Sequence, residues 1–233
     1  MCVGLCYQAD CSAAEPWVGS RVRARALGVV LGLALVVACG KPAPQQTDHR
    51  SKDARGVSED DDAREQSRYD LERRPDLILA AAGIRVGETV ADVGAGSGLL
   101  TSHVARAVGA TGKVVATDIE QSVLDLLKRR LGRAGVGTQV TTRLVSADAP
   151  GLEPNTYDVI LLAEVDHYFT DRAAWLTQAQ PALTNKGRIV ISNRVHHRVG
   201  ALAAAKKAGL VLKAETTPVP SHYVAVFVAK DRL

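Results

Sequence analysis

The sequence has few cysteines, few aromatic residues and little net charge. Its four cysteines all fall within the first 39 of 233 residues, at Cys2, Cys6, Cys11 and Cys39. The rest of the chain therefore has no disulfide, thiolate nucleophile or cysteine-based metal site, and the absence of a helical His-x-x-x-His pair also predicts no metal. Aromatic residues make up only 4% and the net charge is +4 with both signs interspersed, so neither base stacking nor a basic surface indicates a nucleic-acid partner.

The apolar run at residues 26–38 is too short to span a bilayer comfortably. Basic residues at Arg21, Arg23 and Arg25 precede it, which is the layout of a secretory signal. Val36-Val37-Ala38-Cys39 also resembles a bacterial lipobox, in which the cysteine becomes the lipid-bearing N-terminus. We therefore expect residues 1–39 to be a signal segment and Cys39 to anchor the protein on the periplasmic side of the cell envelope. The alternative is a fortuitous apolar segment or an uncleaved anchor, and a spurious signal would leave the protein in the cytoplasm.

Residues 40–67 are rich in Pro, Gln, Ser, Asp and Arg and include the acidic run Glu59-Asp60-Asp61-Asp62. Such a segment has too little apolar surface to fold, so we predict a disordered linker. Residues 68–233 then form the folded domain, for which the 46% hydrophobic content of the chain is sufficient.

Apolar periodicity in this domain alternates between strands and helices. The predicted strands are 89–93, 113–117, 139–145, 157–163, 187–193, 210–214 and 223–229. The predicted helices are 74–82, 99–108, 121–134, 170–183 and 199–208, with Thr170 as a cap and Pro181 kinking or ending its helix. This order predicts an α/β domain with a Rossmann-like, doubly wound, mostly parallel seven-stranded sheet and helices on both faces.

A glycine-rich turn, Gly94-x-Gly96-x-Gly98, follows the first strand at the place where such sheets bind ligands. Dinucleotide-binding turns need a further glycine where this chain has Leu99. Asp92, two positions before the first glycine, would repel a pyrophosphate but suits a ligand that carries an ammonium group. The turn therefore favours S-adenosylmethionine over NAD.

Two more carboxylates follow the next two strands. Asp118 is placed to accept hydrogen bonds from both ribose hydroxyls, and Asp148 to accept one from an adenine amino group. Each residue taken alone is more typical of a turn or a cap. Three acids at the ends of three successive strands, however, agree with one nucleoside ligand.

From about Tyr69 to Lys230 the chain resembles the class I S-adenosylmethionine-dependent methyltransferases, the group that includes the small-molecule methyltransferases of quinone biosynthesis. Residues 90–98 resemble the first motif of that family and residues 157–162 its fourth-strand motif. Residues 181–190 resemble the segment before the fifth strand, although Thr184-Asn185-Lys186-Gly187 replaces the usual Pro-Gly-Gly. The resemblance implies S-adenosylmethionine as cofactor, with contacts from Asp92, Gly94, Ala95, Gly96, Gly98, Asp118, Ile119, Asp148, Ala149 and Glu164.

The loop after the fourth strand supplies the candidate catalytic residues, His167 and Asp166. A histidine has a pKa suited to removing a proton from a poorly nucleophilic acceptor near neutral pH, although a purely structural role is also open. Glu164 either holds the methionine end of the cofactor or caps the following turn. The acceptor is expected to be a small molecule that the sequence does not identify.

A second hypothesis follows from the signal, because S-adenosylmethionine is made in the cytoplasm whereas a lipobox directs the domain outside the inner membrane. In that hypothesis the chain is an exported binding lipoprotein that keeps the methyltransferase fold without catalysis. The intact acids and glycines of the cofactor site favour the enzyme.

Overall fold

The computed structural model describes residues 59–230, so Cys39 and the predicted signal segment lie outside the described residues. The helices are α1 (Glu59–Arg73), α2 (Pro75–Ala82), α3 (Leu99–Val108), α4 (Gln121–Arg133), α5 (Arg172–Ala179) and α6 (Arg198–Lys207). The strands are β1 (Thr89–Val93), β2 (Lys113–Asp118), β3 (Val140–Leu144), β4 (Tyr157–Ala163), β5 (Leu183–Arg194), β6 (Leu210–Val219) and β7 (His222–Ala229). No helix in this part of the chain combines the length and apolarity needed to cross a membrane.

The strands form one sheet in the order β3-β2-β1-β4-β5-β7-β6. Neighbours from β3 to β5 are parallel, and β7 is antiparallel to both β5 and β6. The predicted α/β fold class is therefore confirmed. Because β1 pairs with β2 on one side and with β4 on the other, the strand order reverses there, and a ligand cleft is expected beyond the carboxyl ends of these strands.

Helices cover both faces of the sheet. Alternate residues of the central strands point to opposite sides, so each face carries apolar side chains that a helix must bury. On one face Ala91 and Ile160 belong to an apolar cluster with Trp175 of α5. On the other face Val90 belongs to a second cluster with Leu127 of α4. The sheet lies between two apolar layers. The carboxyl ends of its parallel strands are not covered by these layers, so the site lies there.

The helix α1 begins at Glu59, so residues 59–67 of the predicted linker are helical. Acidic residues hold this segment against α4. The buried Arg130 of α4 donates to Glu65 at 2.7 Å and to Asp62 at 3.3 Å. Arg130 also donates to the carbonyl of Ser97 at 2.8 Å. Asp62 and Glu65 therefore tie α1 to the glycine turn through one buried guanidinium.

The fifth helix is shorter than predicted. Asp171, rather than Thr170, is the N-cap, and its carboxylate accepts from the Ala174 N–H at 3.0 Å. The α-helix ends at Ala179 and a 3-10 turn through Pro181 follows, because proline has no N–H to continue the helical hydrogen bonds. Leu183, predicted as helical, is the first residue of β5.

Candidate functional site

The glycine turn between β1 and α3 has left-handed backbone at each of its glycines. The φ angles are 66° at Gly94, 56° at Gly96 and 84° at Gly98. A Cβ on Gly94 would lie 2.4 Å from Cγ2 of Val165, and one on Gly98 would lie 2.8 Å from Cγ of Leu127. A Cβ on Gly96 would meet no atom within 4 Å. Gly94 and Gly98 thus let the turn pack closely, whereas Gly96 faces open space.

Asp92, at the end of β1, is a buried carboxyl beneath this turn. It is 2% exposed and its Oδ2 accepts a hydrogen bond from the Thr101 hydroxyl at 2.7 Å. Burial raises the pKa of Asp92 to about 6, the Thr101 hydrogen bond works to lower it, and the nearby charge of Asp118 adds to the rise. A cation placed beside Asp92 would relieve this unfavourable burial of negative charge.

Asp118, the last residue of β2, is linked to the same turn. Its Oδ2 accepts from the Gly96 N–H at 2.9 Å, and its Oδ1 accepts from the N–H groups of Ile119 at 2.8 Å and Glu120 at 3.2 Å. A carboxylate has about four lone-pair sites, so room remains for a hydroxyl donor. Ile119 is 63% exposed and offers an apolar surface next to this carboxylate.

Glu164, just after β4, is surrounded by cationic side chains. Its φ of 55° is unusual for a residue with a side chain. The carboxylate is paired with Arg73, and it lies 3.0 Å from Nε2 of His222 and 3.3 Å from Nε of Arg194. Burial works to raise the pKa of Glu164, but Arg73 and His222 outweigh burial, and the pKa falls below its ordinary value.

Arg73 completes this group with donors that are not used. It is 8% exposed, and its Nε and Nη2 are buried with no hydrogen-bond partner in the part of the chain that the structure describes. Its guanidinium carbon lies 5.8 Å from the ring centre of Tyr69, whose own pKa is raised by burial. The charges of Arg73, Asp92 and Glu164 all act on Tyr69. Two unused guanidinium donors suit a carboxylate ligand.

His167 lies in a short 3-10 turn after β4, on the other side of Val165 from Glu164. Its ring stacks on His197, with centroids 4.1 Å apart and planes 12° apart, and contacts Tyr168 at 4.0 Å. Burial lowers the pKa of His167, and the neighbouring His197 lowers it further. Asn193 of β5 lies 2.9 Å from its Nδ1.

Asp166 is almost fully buried beside this turn, at 1% exposure. Its Oδ1 accepts from Nδ2 of Asn193 at 2.6 Å, and its Oδ2 lies 3.4 Å from Nη1 of Arg172. This geometry suits a residue that positions others better than one that touches an acceptor. A catalytic role for Asp166 stays a prediction.

Asp148 and Ala149 lie in the loop that leads from β3 to β4. Asp148 is exposed and accepts from the N–H of Thr170 at 2.9 Å and from its hydroxyl at 2.8 Å, two hydrogen bonds that lower the pKa of the carboxyl. The N–H of Ala149 donates to the Ser146 carbonyl at 3.2 Å, and that of Ala95 donates to the Thr117 carbonyl at 2.9 Å. Contact of these residues with the cofactor stays a prediction.

Residues 91–189 match the model of the methyltransferase domain family. The chain is 34% identical over 115 residues to the ubiquinone/menaquinone biosynthesis C-methyltransferase UbiE of Escherichia coli (strain K12 / DH10B), an alignment that covers 49% of this chain and 46% of that protein. This part of the chain is therefore similar to methyltransferases. The chain spans about half the length of the curated relatives that it matches.

Solved structures have the same fold as this domain. An S-adenosylmethionine-dependent methyltransferase from Aquifex aeolicus superposes with a TM-score of 0.65 at 18% identity, covering 74% of this chain and 98% of that one. A geranyl diphosphate C-methyltransferase from Streptomyces coelicolor superposes with a TM-score of 0.60 at 13% identity, covering 80% of this chain and 85% of that one. At these identities the likeness establishes the fold alone.

The site has side chains that suit both charged ends of S-adenosylmethionine, the cofactor that the sequence predicts. The buried Asp92 suits the ammonium group, and the unused donors of Arg73 suit the carboxylate. Sequence reasoning missed Arg73 because it stands at the end of a polar segment with no motif around it. Asn193 was missed because it lies in a strand otherwise taken to be core, although a polar residue at a strand's carboxyl end is a usable signal.

Proposed function

We propose that this protein transfers the sulfonium methyl group of S-adenosylmethionine to a small-molecule acceptor. The observation that carries the proposal is the buried guanidinium of Arg73, which is paired with Glu164 at the end of β4 and keeps two donors unused. A buried cation with unmade hydrogen bonds is costly unless a ligand supplies the acceptors. The methionine carboxylate is such a ligand group.

In this proposal each of three acids binds a different part of the cofactor. Asp118 accepts from one ribose hydroxyl at its remaining lone pair, Asp92 pairs with the ammonium group and Asp148 accepts from the adenine amino group. Glu164 is already engaged by two arginines and a histidine, so it acts on the cofactor by holding Arg73 in place. The glycines let the cofactor approach the backbone, with Gly96 providing the free space.

The chemistry asks little more of the protein than alignment and exclusion of water, because the sulfonium already activates the methyl group. The turn that carries His167 follows β4, which pairs with β1, so it lies at the same edge of the sheet as the cofactor site. The matched relative takes part in quinone biosynthesis and the structural neighbour methylates geranyl diphosphate. For this chain we propose a small acceptor that binds at this turn. The acids and glycines of the cofactor site are intact, which favours the enzyme over the non-catalytic binding protein.

Arg73→Met is expected to lower the affinity for S-adenosylmethionine by about 10- to 100-fold, because a charge-assisted pair with the carboxylate is lost. Affinity for 5′-methylthioadenosine, which lacks the amino-acid end, should remain unchanged. Isothermal titration calorimetry of the protein with both ligands measures the two effects separately.

Arg68→Met is the matched control, since Arg68 is an exposed arginine of the same helix. It should leave both affinities at the wild-type value. Equal losses for the two ligands in Arg73→Met would rule out a carboxylate contact, and a wild-type protein that binds neither ligand would overturn the proposed function.

We further propose that Cys39 is lipidated and holds the domain on the periplasmic side of the bacterial cell envelope. The proposal rests on the basic residues, the apolar run and the Val-Val-Ala-Cys segment of the sequence. Labelling of expressing cells with a clickable fatty acid should mark the wild-type protein and leave Cys39→Ser unmarked. Equal labelling of both proteins, or of neither, would contradict a lipid anchor at this residue.

A further inference from the structure

We propose that Asn193 fixes His167 as the neutral tautomer with its proton on Nε2, so that His167 is a hydrogen-bond donor to an oxygen of the methyl acceptor and not a base. The inference rests on the proposed function, since it assigns a role at the acceptor side of that same site. The acceptor is then a small molecule with an oxygen that becomes anionic before methyl transfer.

The orientation of the Asn193 amide is determined by its neighbours. Asn193 is fully buried, its Oδ1 accepts from the Arg194 N–H at 2.7 Å, and its Nδ2 donates to Oδ1 of Asp166 at 2.6 Å. A carboxylate paired with a guanidinium accepts only, and Asp166 lies 3.4 Å from Arg172. A flipped amide would set oxygen against carboxylate oxygen and NH2 against a backbone N–H, two repulsive contacts in a buried site.

This orientation decides which nitrogen of His167 carries the proton. Nδ2 of Asn193 has a second hydrogen, and Nδ1 of His167 lies 2.9 Å away. Nδ1 must therefore accept, which leaves the proton of the neutral ring on Nε2. A protonated imidazolium would direct an N–H at the amide N–H, so the cation is disfavoured as well.

The charged and titratable surroundings of His167 agree with a neutral ring. Burial and His197 lower its pKa, and Arg172 acts in the same direction. Asp166 and Glu164 act in the opposite direction but are outweighed. The parallel stacking on His197 also fits two uncharged rings.

The remaining edge of His167 is available to a ligand. Its faces contact His197 and Tyr168, and no hydrogen bond to Nε2 is present among residues 59–230. Because Nε2 already carries a proton, it can donate to an acceptor oxygen but cannot take a proton from it. The acceptor loses its proton to solvent, and the hydrogen bond stabilises the oxyanion that results.

Methyl transfer then balances without a protein base. An electron pair of the ionised acceptor forms the bond to the methyl carbon, and the pair of the breaking S–CH3 bond returns to sulfur, which leaves S-adenosylhomocysteine. Asn193 is a positioning residue in this scheme, since it acts through His167.

Nitrogen-15 NMR of the histidine rings in the full chain, above the pKa of His167, tests the assignment without any acceptor. The ring signals that are absent from the spectrum of His167→Ala are assigned to His167. In the wild-type protein we expect the Nε2–H tautomer of His167 to be about tenfold or more as abundant as the Nδ1–H tautomer. In Asn193→Asp the new carboxyl oxygen would face Asp166 and share a proton with it, because two carboxylates this close cannot both ionise. Nδ1 of His167 would lose its amide donor, so the excess of the Nε2–H tautomer should fall.

Asn185→Asp is the matched control, because Asn185 is an exposed residue of the same strand, and it should leave the tautomer unchanged. A wild-type His167 ring protonated at Nδ1 would overturn the inference. Because this measurement uses the wild-type protein, it tests the tautomer even if Asn193→Asp does not fold. Calorimetry with S-adenosylmethionine on the same samples separates the two proposals. Normal cofactor binding with an Nδ1–H tautomer would refute only the role of His167, whereas absent binding would refute the methyltransferase activity.

Discussion

Gly94→Ala is expected to lower the affinity for S-adenosylmethionine by about 100-fold or more and to destabilise the domain by about 2 to 5 kcal/mol. The new Cβ would lie 2.4 Å from Cγ2 and 2.8 Å from Cβ of Val165, atoms too close to the backbone to move alone. Overpacking costs about 1 to 3 kcal/mol, and left-handed backbone at alanine adds about 1 to 2 kcal/mol. The loop after β4 must shift and carry Glu164 with it. Thermal unfolding and calorimetry measure the two losses.

Two other glycines serve as controls for this result. Gly96→Ala should cost only the left-handed backbone, about 1 to 2 kcal/mol, yet still weaken cofactor binding, because its Cβ enters the open space beside the turn. Gly132→Ala, inside α4 with nothing near its Cβ, should gain about 0.5 to 1 kcal/mol and leave binding unchanged. A Gly94→Ala protein with normal stability and cofactor affinity would show that the loop after β4 yields freely.

Asp92→Asn is expected to stabilise the ligand-free domain near neutral pH while weakening its binding of S-adenosylmethionine. Burial raises the pKa of Asp92 from 3.8 to about 6, and about two pKa units correspond to about 3 kcal/mol. Because the folded pKa lies above the unfolded one, the penalty is absent below about pH 4, grows as pH rises to about 6 and stays constant above. Asparagine carries no charge and still accepts from the Thr101 hydroxyl.

The measurement is the free energy of unfolding by urea at several pH values, taken as the difference between Asp92→Asn and the wild type. This difference should rise from near zero at about pH 4 to about 3 kcal/mol at about pH 7. Asp125→Asn, an exposed position on α4, should give a difference of less than about 0.5 kcal/mol throughout. A variant less stable than wild type at neutral pH would mean that the ligand-free protein already holds a cation beside Asp92.

Local chemistry made much of the fold predictable. Strands β1 and β4 and helix α3 have the predicted bounds, because their ends coincide with glycine turns or with a change from apolar to polar residues. The ends of α5 were misplaced, and α1 was not predicted, since residues 40–67 were expected to be a disordered linker. The ends of α5 are set by the Asp171 cap and by Pro181, although the apolar periodicity extends beyond both. The helix α1 is held by ion pairs to Arg130, which no local sequence pattern reveals.

The sequence by itself determined the α/β class, the glycine turn and the acids that follow the first strands, since strand ends, glycine conformations and carboxylate chemistry are properties of short segments. Only the tertiary structure decided how residues from distant elements act on one another. It placed Arg73 of α1 against Glu164 after β4, and Asn193 of β5 against His167. These contacts join parts of the chain that meet only when the sheet assembles, so the unused donors of Arg73 and the tautomer of His167 are consequences of packing.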